Sequence, residues 1–198
     1  MKIDIYFFYR LFKFHIPGYI KFKLFGKLKN QSIGKYPIIG SKVKIERNFK
    51  AGDCFHLGRN SYIGPSVRIG HFGLISHYVH IIGNDHNYDH VGVPIILSGR
   101  PNNYQELKTI IEDDVWIGHG VTIMRGIKIG EGSIIASNSV VTKDIPEYSI
   151  YAGSPAKFIK NRFNNETDIK EHKSFLKKYR DGKLKLRHDT KPLYKKLG

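Results

Sequence analysis

Cysteine, acidic residues and long apolar runs are all scarce in this chain of 198 residues. The single cysteine, Cys54, excludes an intramolecular disulfide, and its position inside a repeat predicts a structural rather than a nucleophilic role. No stretch approaches about eighteen uninterrupted apolar residues, so no transmembrane helix is predicted. The N-terminus also lacks the apolar centre and cleavage site of a signal peptide, and we therefore expect a cytoplasmic protein.

Acids are outnumbered 17 to 33 by lysines and arginines, and the net charge of +16 lies almost wholly at the two ends. Residues 1–30 carry seven Lys or Arg against one acid, and residues 157–198 carry fourteen against five. The N-terminal segment mixes aromatics with lysines, which suits peripheral contact with an anionic membrane or a phosphorylated substrate. The alternative, which we favour, is that its aromatics cap the fold. No nucleic-acid-binding motif accompanies the charge, so nucleic acid is not an expected partner.

A six-residue period dominates the middle of the chain. Apolar residues recur at every sixth position from Ile39 to Ile81 and again from Ile111 to Val141, and half of the positions that follow them are glycine. This period is too long for strand alternation and matches no helical stripe. It fits a short strand plus a tight corner, at which glycine adopts angles that other residues resist. We predict an all-β protein, a parallel β-helix of about five turns, since sandwich strands keep no fixed period.

The repeats, and above all the run from Asp114 to Phe163, resemble the hexapeptide-repeat acyltransferases. The resemblance is to the branch of xenobiotic acetyltransferases and bacterial polysaccharide O-acetyltransferases. It implies a left-handed β-helix, a homotrimer with active sites between subunits, and acetyl-CoA as co-substrate. The expected organisation is a basic aromatic segment at 1–32, a β-helix catalytic domain at 33–163 with an inserted loop at 83–108, and a basic, partly helical C-terminal tail at 164–198.

The repeat stops between Ile82 and Lys108, and so long a loop is usually functional or disordered. In the family, a loop at this place bears the catalytic histidine, three residues before an aspartate. That pattern falls on His86 and Asp89, so the resemblance makes His86 the general base. Imidazole titrates near neutral pH and can accept the proton of a hydroxyl during acetyl transfer. The residues expected to bind the acceptor are Asn84, Asp85, Tyr88 and Asp89.

The oxyanion and coenzyme positions also follow from the resemblance. The family's oxyanion donor is the backbone N–H after a Trp-Ile-Gly tripeptide, which here belongs to His119. The positions implied to bind acetyl-CoA are Trp116, His119, Ser137, Thr142, Lys143, Lys157, Lys160 and Arg162. The last three suit the nucleotide phosphates, or else begin a solvated tail. Trp116 either lines the pantetheine channel or packs between subunits.

Several functions compete for this sequence. Six histidines, His71, His77, His80, His86, His90 and His119, invite comparison with zinc enzymes resembling γ-class carbonic anhydrases. Residues six apart fall on different faces of a three-sided coil, so no metal site is expected. Antibiotic acetyltransferases of this branch continue with Ser-Thr-Tyr-Pro-Phe, whereas HVGVPIILSGRP follows Asp89. We expect the acceptor to be a sugar hydroxyl of a surface polysaccharide or glycan precursor. Nucleotide amino sugar N-acetylation, antibiotic acetylation and a non-catalytic scaffold are the alternatives.

Overall fold

The computed structural model describes residues 32–82, 85–101 and 107–184. Most strands contain only two residues, because the chain turns a corner after each one. The strands are β1 (Ser32–Ile33), β2 (Ile38–Ile39), β3 (Lys44–Ile45), β4 (Lys50–Ala51), β5 (His56–Leu57), β6 (Tyr62–Ile63), β7 (Val67–Ile69), β8 (Leu74–Ile75), β9 (His80–Ile81), β10 (Thr109–Ile111), β11 (Trp116–Ile117), β12 (Thr122–Ile123), β13 (Lys128–Ile129), β14 (Ile134–Ile135), β15 (Val140–Val141), β16 (Ser149–Ala152) and β17 (Lys157–Asn161); helix α1 is Glu166–Arg180, and a 3-10 turn lies at Ile95–Leu97. No helix in this part of the chain is long and apolar enough to cross a membrane.

Three sheets form the sides of a triangular coil. Sheet A contains β1, β4, β7, β10 and β13, sheet B contains β2, β5, β8, β11, β14, β16 and β17, and sheet C contains β3, β6, β9, β12 and β15. All pairs are parallel except β16 with β17. The prediction of a left-handed parallel β-helix is confirmed, with five complete coils and a sixth begun by β16. We name the turns between the sheets the A–B, B–C and C–A corners.

The core is the column of residues that recur every six positions. The second residue of almost every strand points inward, and the isoleucines of this series from Ile63 to Ile135 are at most 1% exposed. Near the N-terminal end the aromatics Phe49 and Phe55 fill the interior edge to face, with ring centroids 6.2 Å apart. Each fully buried side chain of this size contributes about 1.5–3 kcal/mol, so the column is the main source of stability.

The corners correct part of the expectation about glycine. Gly120 and Gly132 do adopt left-handed backbone angles, with φ of 68° and 69°, but most such angles fall on other residue types, such as Lys42 and Asn60, both with φ of 56°. Gly40 is required for space instead, since a Cβ there would lie 2.5 Å from the backbone nitrogen of Arg59 in the next coil. Glycine after the buried residue therefore permits close stacking of coils, while the coil itself holds other residue types in the left-handed region.

Helix α1 confirms the prediction that the tail is partly helical. Asn165 caps its N-terminus by accepting a hydrogen bond from the Asp168 N–H at 2.8 Å. Among its residues, Leu176 is buried, at 2% exposed. Phe175 and Tyr179 of the helix also pack on the ring of Phe72 in the coil, with centroids 6.2 Å and 4.6 Å away, so a small apolar cluster joins the two.

Basic and phenolic groups of α1 bind acids along the A–B corner. Tyr179 donates to Asp53 at 2.9 Å. The Arg180 guanidinium donates to Asp113 and Glu131 at 2.6 Å each. These acids lie in the second, fourth and fifth coils, and they line one edge because residues at one corner stack above one another. The helix therefore ties several coils together along this edge.

Asp114 is the centre of a second set of contacts at the same corner. It accepts a hydrogen bond from Arg162 at 2.6 Å and lies 3.1 Å from His172 Nε2 of α1. Arg162 also donates to the carbonyl of Gly132 at 2.9 Å. Burial by itself would raise the pKa of Asp114, but the hydrogen bonds from His172 and Arg162 outweigh it and hold the pKa below its usual value.

We predict that Asp114→Asn lowers the free energy of unfolding at pH 7 by about 1–3 kcal/mol, because Arg162 and His172 lose their shared anion. A depressed pKa contributes stability above the unfolded-state value of about 3.9, and that contribution is lost as the pH falls through the folded-state value. The difference between wild type and variant should therefore shrink towards about pH 3.5. Urea denaturation at both pH values measures it.

Glu166→Gln is the matched control, since its pair with Lys170 is highly exposed, and the variant should stay within about 0.5 kcal/mol of wild type at either pH. Equal losses for Asp114→Asn at both pH values would contradict the assignment.

Candidate active site

The coil is interrupted at the C–A corner between β9 and β10. Thr109 pairs with Val67 of the preceding coil across 42 residues, whereas uninterrupted coils pair residues 18 apart. The ladder thus continues in register, and the inserted residues leave the coil as a loop. Asn84, one of the expected acceptor-binding residues, lies outside the described part of this loop.

A polar clamp fixes the loop immediately after His86. The Asn87 N–H donates to the Gly99 carbonyl at 3.0 Å, and its side-chain amide donates to the Ser98 carbonyl at 3.0 Å. The Ser98 hydroxyl in turn contacts the Asn87 carbonyl and donates to that of Ile95 at 2.7 Å. Sequence reasoning missed this clamp, because two polar residues eleven positions apart in a loop carry no signal of pairing.

His86 is half-buried, and its Nδ1 atom is fully buried without a hydrogen-bond partner among the described residues. An unsatisfied buried polar atom is costly and calls for a functional or ligand-linked explanation. The clamp at Asn87 keeps the backbone beside this ring in one conformation. The imidazole is therefore both positioned and incompletely paired, as suits a group that exchanges a proton with a ligand.

The expected acceptor residues bracket His86 on the loop surface. Asp85, Tyr88 and Asp89 are all exposed, and Tyr88 is 84% exposed. Their polar groups are open to a ligand from solvent. The acceptor role of these residues remains a prediction.

His119 and Ser137 stack at the B–C corner in successive coils. The His119 N–H, the expected oxyanion donor, donates to Ser137 Oγ at 3.2 Å. The His119 ring also packs on Tyr78, with centroids 5.2 Å apart. The His119 N–H lies at an exposed corner, but it is already hydrogen-bonded to the Ser137 hydroxyl. It can donate to an oxyanion only after the serine side chain rotates away.

The other expected coenzyme positions are spread over the coils nearest the C-terminus, from β11 onwards. Thr142 and Lys143 follow β15 at the C–A corner and are exposed. Lys157 and Lys160 lie on the exposed strand β17 and form no ion pair within the described residues. Trp116 stands on sheet B, 47% exposed. These cations are free to meet a phosphate, and the indole is free to meet a ligand or a second subunit.

Arg162 differs from its neighbours on β17, because its guanidinium is bound to Asp114 and Gly132 as described above. It also stacks on the ring of Phe163, at 4.9 Å from the centroid. These contacts give Arg162 a structural role in the tail, and we leave it out of the coenzyme site.

Two of the corner histidines accept hydrogen bonds from backbone N–H groups. His71 Nδ1 accepts from the Asp53 N–H and His77 Nδ1 accepts from the Arg59 N–H, both at 3.0 Å. Within residues 32–82, 85–101 and 107–184, no group of three His, Cys, Asp or Glu side chains could hold a metal ion. These rings thus join one coil to the next.

Comparison with known proteins identifies the repeat. Residues 108–143 match the family described as bacterial transferase hexapeptide (six repeats). A probable macrolide acetyltransferase of Lysinibacillus sphaericus is 44% identical over 117 residues, which cover 53% of this chain and 65% of that protein. A 2,3,4,5-tetrahydropyridine-2,6-dicarboxylate N-acetyltransferase of Staphylococcus aureus is 38% identical over 92 residues, covering 46% of this chain and 38% of that protein.

A solved structure extends the similarity to three dimensions. The maltose O-acetyltransferase of Clostridium difficile 630 superposes with a TM-score of 0.57 at 26% identity, covering 68% of this chain and 72% of that one. The matches span less than two thirds of the length of the first curated relatives. Residues 108–143 thus carry the bacterial transferase hexapeptide repeat, and the chain is similar in sequence and in fold to acetyltransferases.

Proposed function

We propose that this protein is an acetyl-CoA-dependent O-acetyltransferase whose acceptor is a sugar hydroxyl of a surface polysaccharide or glycan precursor. The observation that carries the proposal is the break in the coil, where a clamped loop holds a half-buried His86 with an unpaired ring nitrogen. Similarity to a maltose O-acetyltransferase supports a sugar acceptor. The exposed polar residues beside His86 supply hydrogen-bonding groups of the kind that carbohydrates require.

In the proposed reaction, His86 acts as the general base. The acceptor oxygen attacks the thioester carbonyl carbon while the imidazole takes the hydroxyl proton. The tetrahedral intermediate collapses, the carbon–sulfur bond breaks, and the imidazolium returns the proton to the leaving thiolate. The products are the acetyl ester and CoA, and no acyl-enzyme forms.

The His119 N–H is the proposed donor to the developing oxyanion. It now donates to the neutral Ser137 hydroxyl at 3.2 Å, a long bond at an exposed corner. A thioester oxygen that gains negative charge forms a stronger, charge-assisted bond with the same N–H. Substrate binding therefore favours displacement of the serine hydroxyl, which then becomes available to the coenzyme.

Acetyl-CoA itself is proposed to lie along the coils nearest the C-terminus, from β11 onwards. The side chains assigned to it are Trp116, Ser137, Thr142, Lys143, Lys157 and Lys160. Backbone N–H and C=O groups at coil edges suit the pantetheine amides, while the unpaired lysines of β17 suit the phosphates. Because these positions lie at different corners of one chain, we propose a homotrimer in which neighbouring subunits complete each site.

We further propose a cytoplasmic location. The basic aromatic segment 1–32, almost all of which lies outside the described residues, would contact the anionic inner face of the membrane if the acceptor is lipid-linked.

Antibiotic acetylation is the second candidate, because the Lysinibacillus sphaericus relative is a probable macrolide acetyltransferase. N-acetylation of a nucleotide amino sugar is a third, supported in reaction type by the Staphylococcus aureus N-acetyltransferase. Both would use the same imidazole and donor site, so the acceptor alone separates them from the main proposal.

We predict that His86→Ala lowers kcat by about 10² to 10⁴-fold, because the hydroxyl proton loses its acceptor. The melting temperature should not fall, since the loop lies outside the coil core. His90→Ala, in the same loop and exposed, is the control and should retain turnover within about threefold. Normal turnover in His86→Ala would remove the proposed base.

The donor site gives a separate prediction. Replacing Lys157 and Lys160 together by alanine should raise KM for acetyl-CoA about tenfold or more, because two phosphate contacts are lost, and should leave KM for the acceptor nearly constant. Lys170→Ala with Lys178→Ala removes the same charge from exposed positions of α1 and serves as control. If calorimetry shows unchanged CoA affinity in the β17 variant, then neither lysine binds the coenzyme, and both are solvated surface residues.

The acceptor class is tested with a panel of oligosaccharides, nucleotide amino sugars, macrolides and chloramphenicol in the presence of acetyl-CoA. We expect thiol release with sugars and an alkali-labile acetyl ester on a sugar carbon by NMR. Acetylation confined to an amine, or to the antibiotics, would overturn the sugar hydroxyl as acceptor.

A further inference from the structure

A concave groove on the outer face of sheet A carries three cations. It has a volume of about 780 Å³ and is lined by strands β4, β7 and β10 and by the neighbouring C–A corner. Its charged side chains are Lys50, Arg68 and Lys108, all exposed, and its polar side chains include Asn48 and Ser66. A groove of this size accommodates a small ligand, and its charge requires that the ligand be an anion.

Two of the cations are forced together by the coil register. Lys50 on β4 pairs directly with Arg68 on β7 in the parallel ladder, so their backbones are separated by one strand spacing of about 4.8 Å. Like charges directly opposite one another on a sheet are destabilising. Retaining both at this position costs stability that a bound anion would offset.

Other cations near this face form ion pairs with acidic side chains, whereas the three groove cations do not, within the part of the chain that the structure describes. Lys128, two strands from Arg68, pairs with Glu112 at 2.9 Å, and Arg180 pairs with Asp113 and Glu131. Lys50, Arg68 and Lys108 form no ion pair with any residue of the described ranges. The local excess of positive charge is therefore specific to the groove.

The groove adjoins the base of the loop that bears His86. Asn48 and Ser66 occupy the C–A corner in two successive coils, and the loop leaves the coil at the same corner of the next one. Lys108 is the last loop residue before β10. A ligand whose reacting hydroxyl meets His86 could thus extend a charged portion down the C–A corner into the groove.

We propose that this groove binds the diphosphate of the acceptor, with Arg68 and Lys50 as its principal contacts and Lys108 as the contact nearest the loop. This inference rests on the proposed function and deepens it, since the acceptor becomes a sugar diphosphate ester instead of a free glycan. A guanidinium and an ammonium held side by side suit two linked phosphates, since Arg binds phosphate through two parallel hydrogen bonds and Lys as a point charge. The diphosphate ester belongs either to a nucleoside or to a lipid carrier.

The test uses inorganic pyrophosphate as probe, titrated calorimetrically into the full chain saturated with CoA, so that the coenzyme phosphates are already bound. Wild type should bind pyrophosphate saturably and more weakly as salt rises. Arg68→Gln and Lys50→Ala should each weaken binding about tenfold, because each removes a charge-assisted contact. Lys42→Ala, an equal charge change at the exposed B–C corner, should bind as wild type.

Absence of saturable binding, or wild-type affinity in both groove variants, would overturn the proposal. Binding of pyrophosphate to the CoA-free chain but not to the CoA-saturated chain would overturn it too, since the groove would then serve the coenzyme. Competition by UDP, or by a polyprenyl diphosphate in detergent micelles, supports the proposal and identifies the carrier, and competition by neither contradicts it. If the protein acetylates sugars and the groove variants bind pyrophosphate like wild type, the proposed function holds and the diphosphate site is wrong. If the protein binds pyrophosphate in the groove but acetylates no sugar, the diphosphate site holds and the proposed function is wrong.

Discussion

Backbone hydrogen bonding between successive coils determines where every other part of this protein can lie. Each strand of the five complete coils contributes two or three ladder residues, so a coil is stable only when the next coil repeats its register, 18 residues later or, across the insertion, 42. That requirement fixes the inward column of isoleucines and brings the corners into stacked rows. It also explains the close-packed glycines, because the backbone of the next coil passes where a side chain would stand. Residues available for binding and catalysis must therefore lie on the outer face, at a corner or in an insertion.

Function follows from that division. The ladder closes across the insertion between β9 and β10 without losing register, so a long loop is accommodated at little cost to the core. The loop brings an imidazole to the C–A corner, the corners offer backbone N–H groups, and the outer face of sheet A collects unpaired cations. The acidic A–B corner is used differently, since it holds the basic helix α1 in place. One edge of the coil thus serves stability, and we assign the others to ligands.

The sequence predicts the parts that the period controls. Burial every six residues yields the coil, its number of turns and its inward column, and the break in the period locates the loop. Contacts between distant residues are not predictable in this way. Arg162 meets Asp114 across 48 residues, and the Ser137 hydroxyl meets the His119 N–H only because the two stack at one corner. The pairing of Lys50 with Arg68 likewise follows from register, since eighteen residues separate them in a chain already rich in lysine.

We propose that the break in the coil places His86 as the base beside the thioester of acetyl-CoA. A crystal structure of the assembled protein with CoA and an acceptor sugar bound tests this placement. We expect an imidazole nitrogen of His86 within about 3 Å of an acceptor hydroxyl oxygen, and the CoA sulfur next to the His119 N–H. An acceptor or sulfur bound on another face of the coil, with His86 facing solvent, would contradict it.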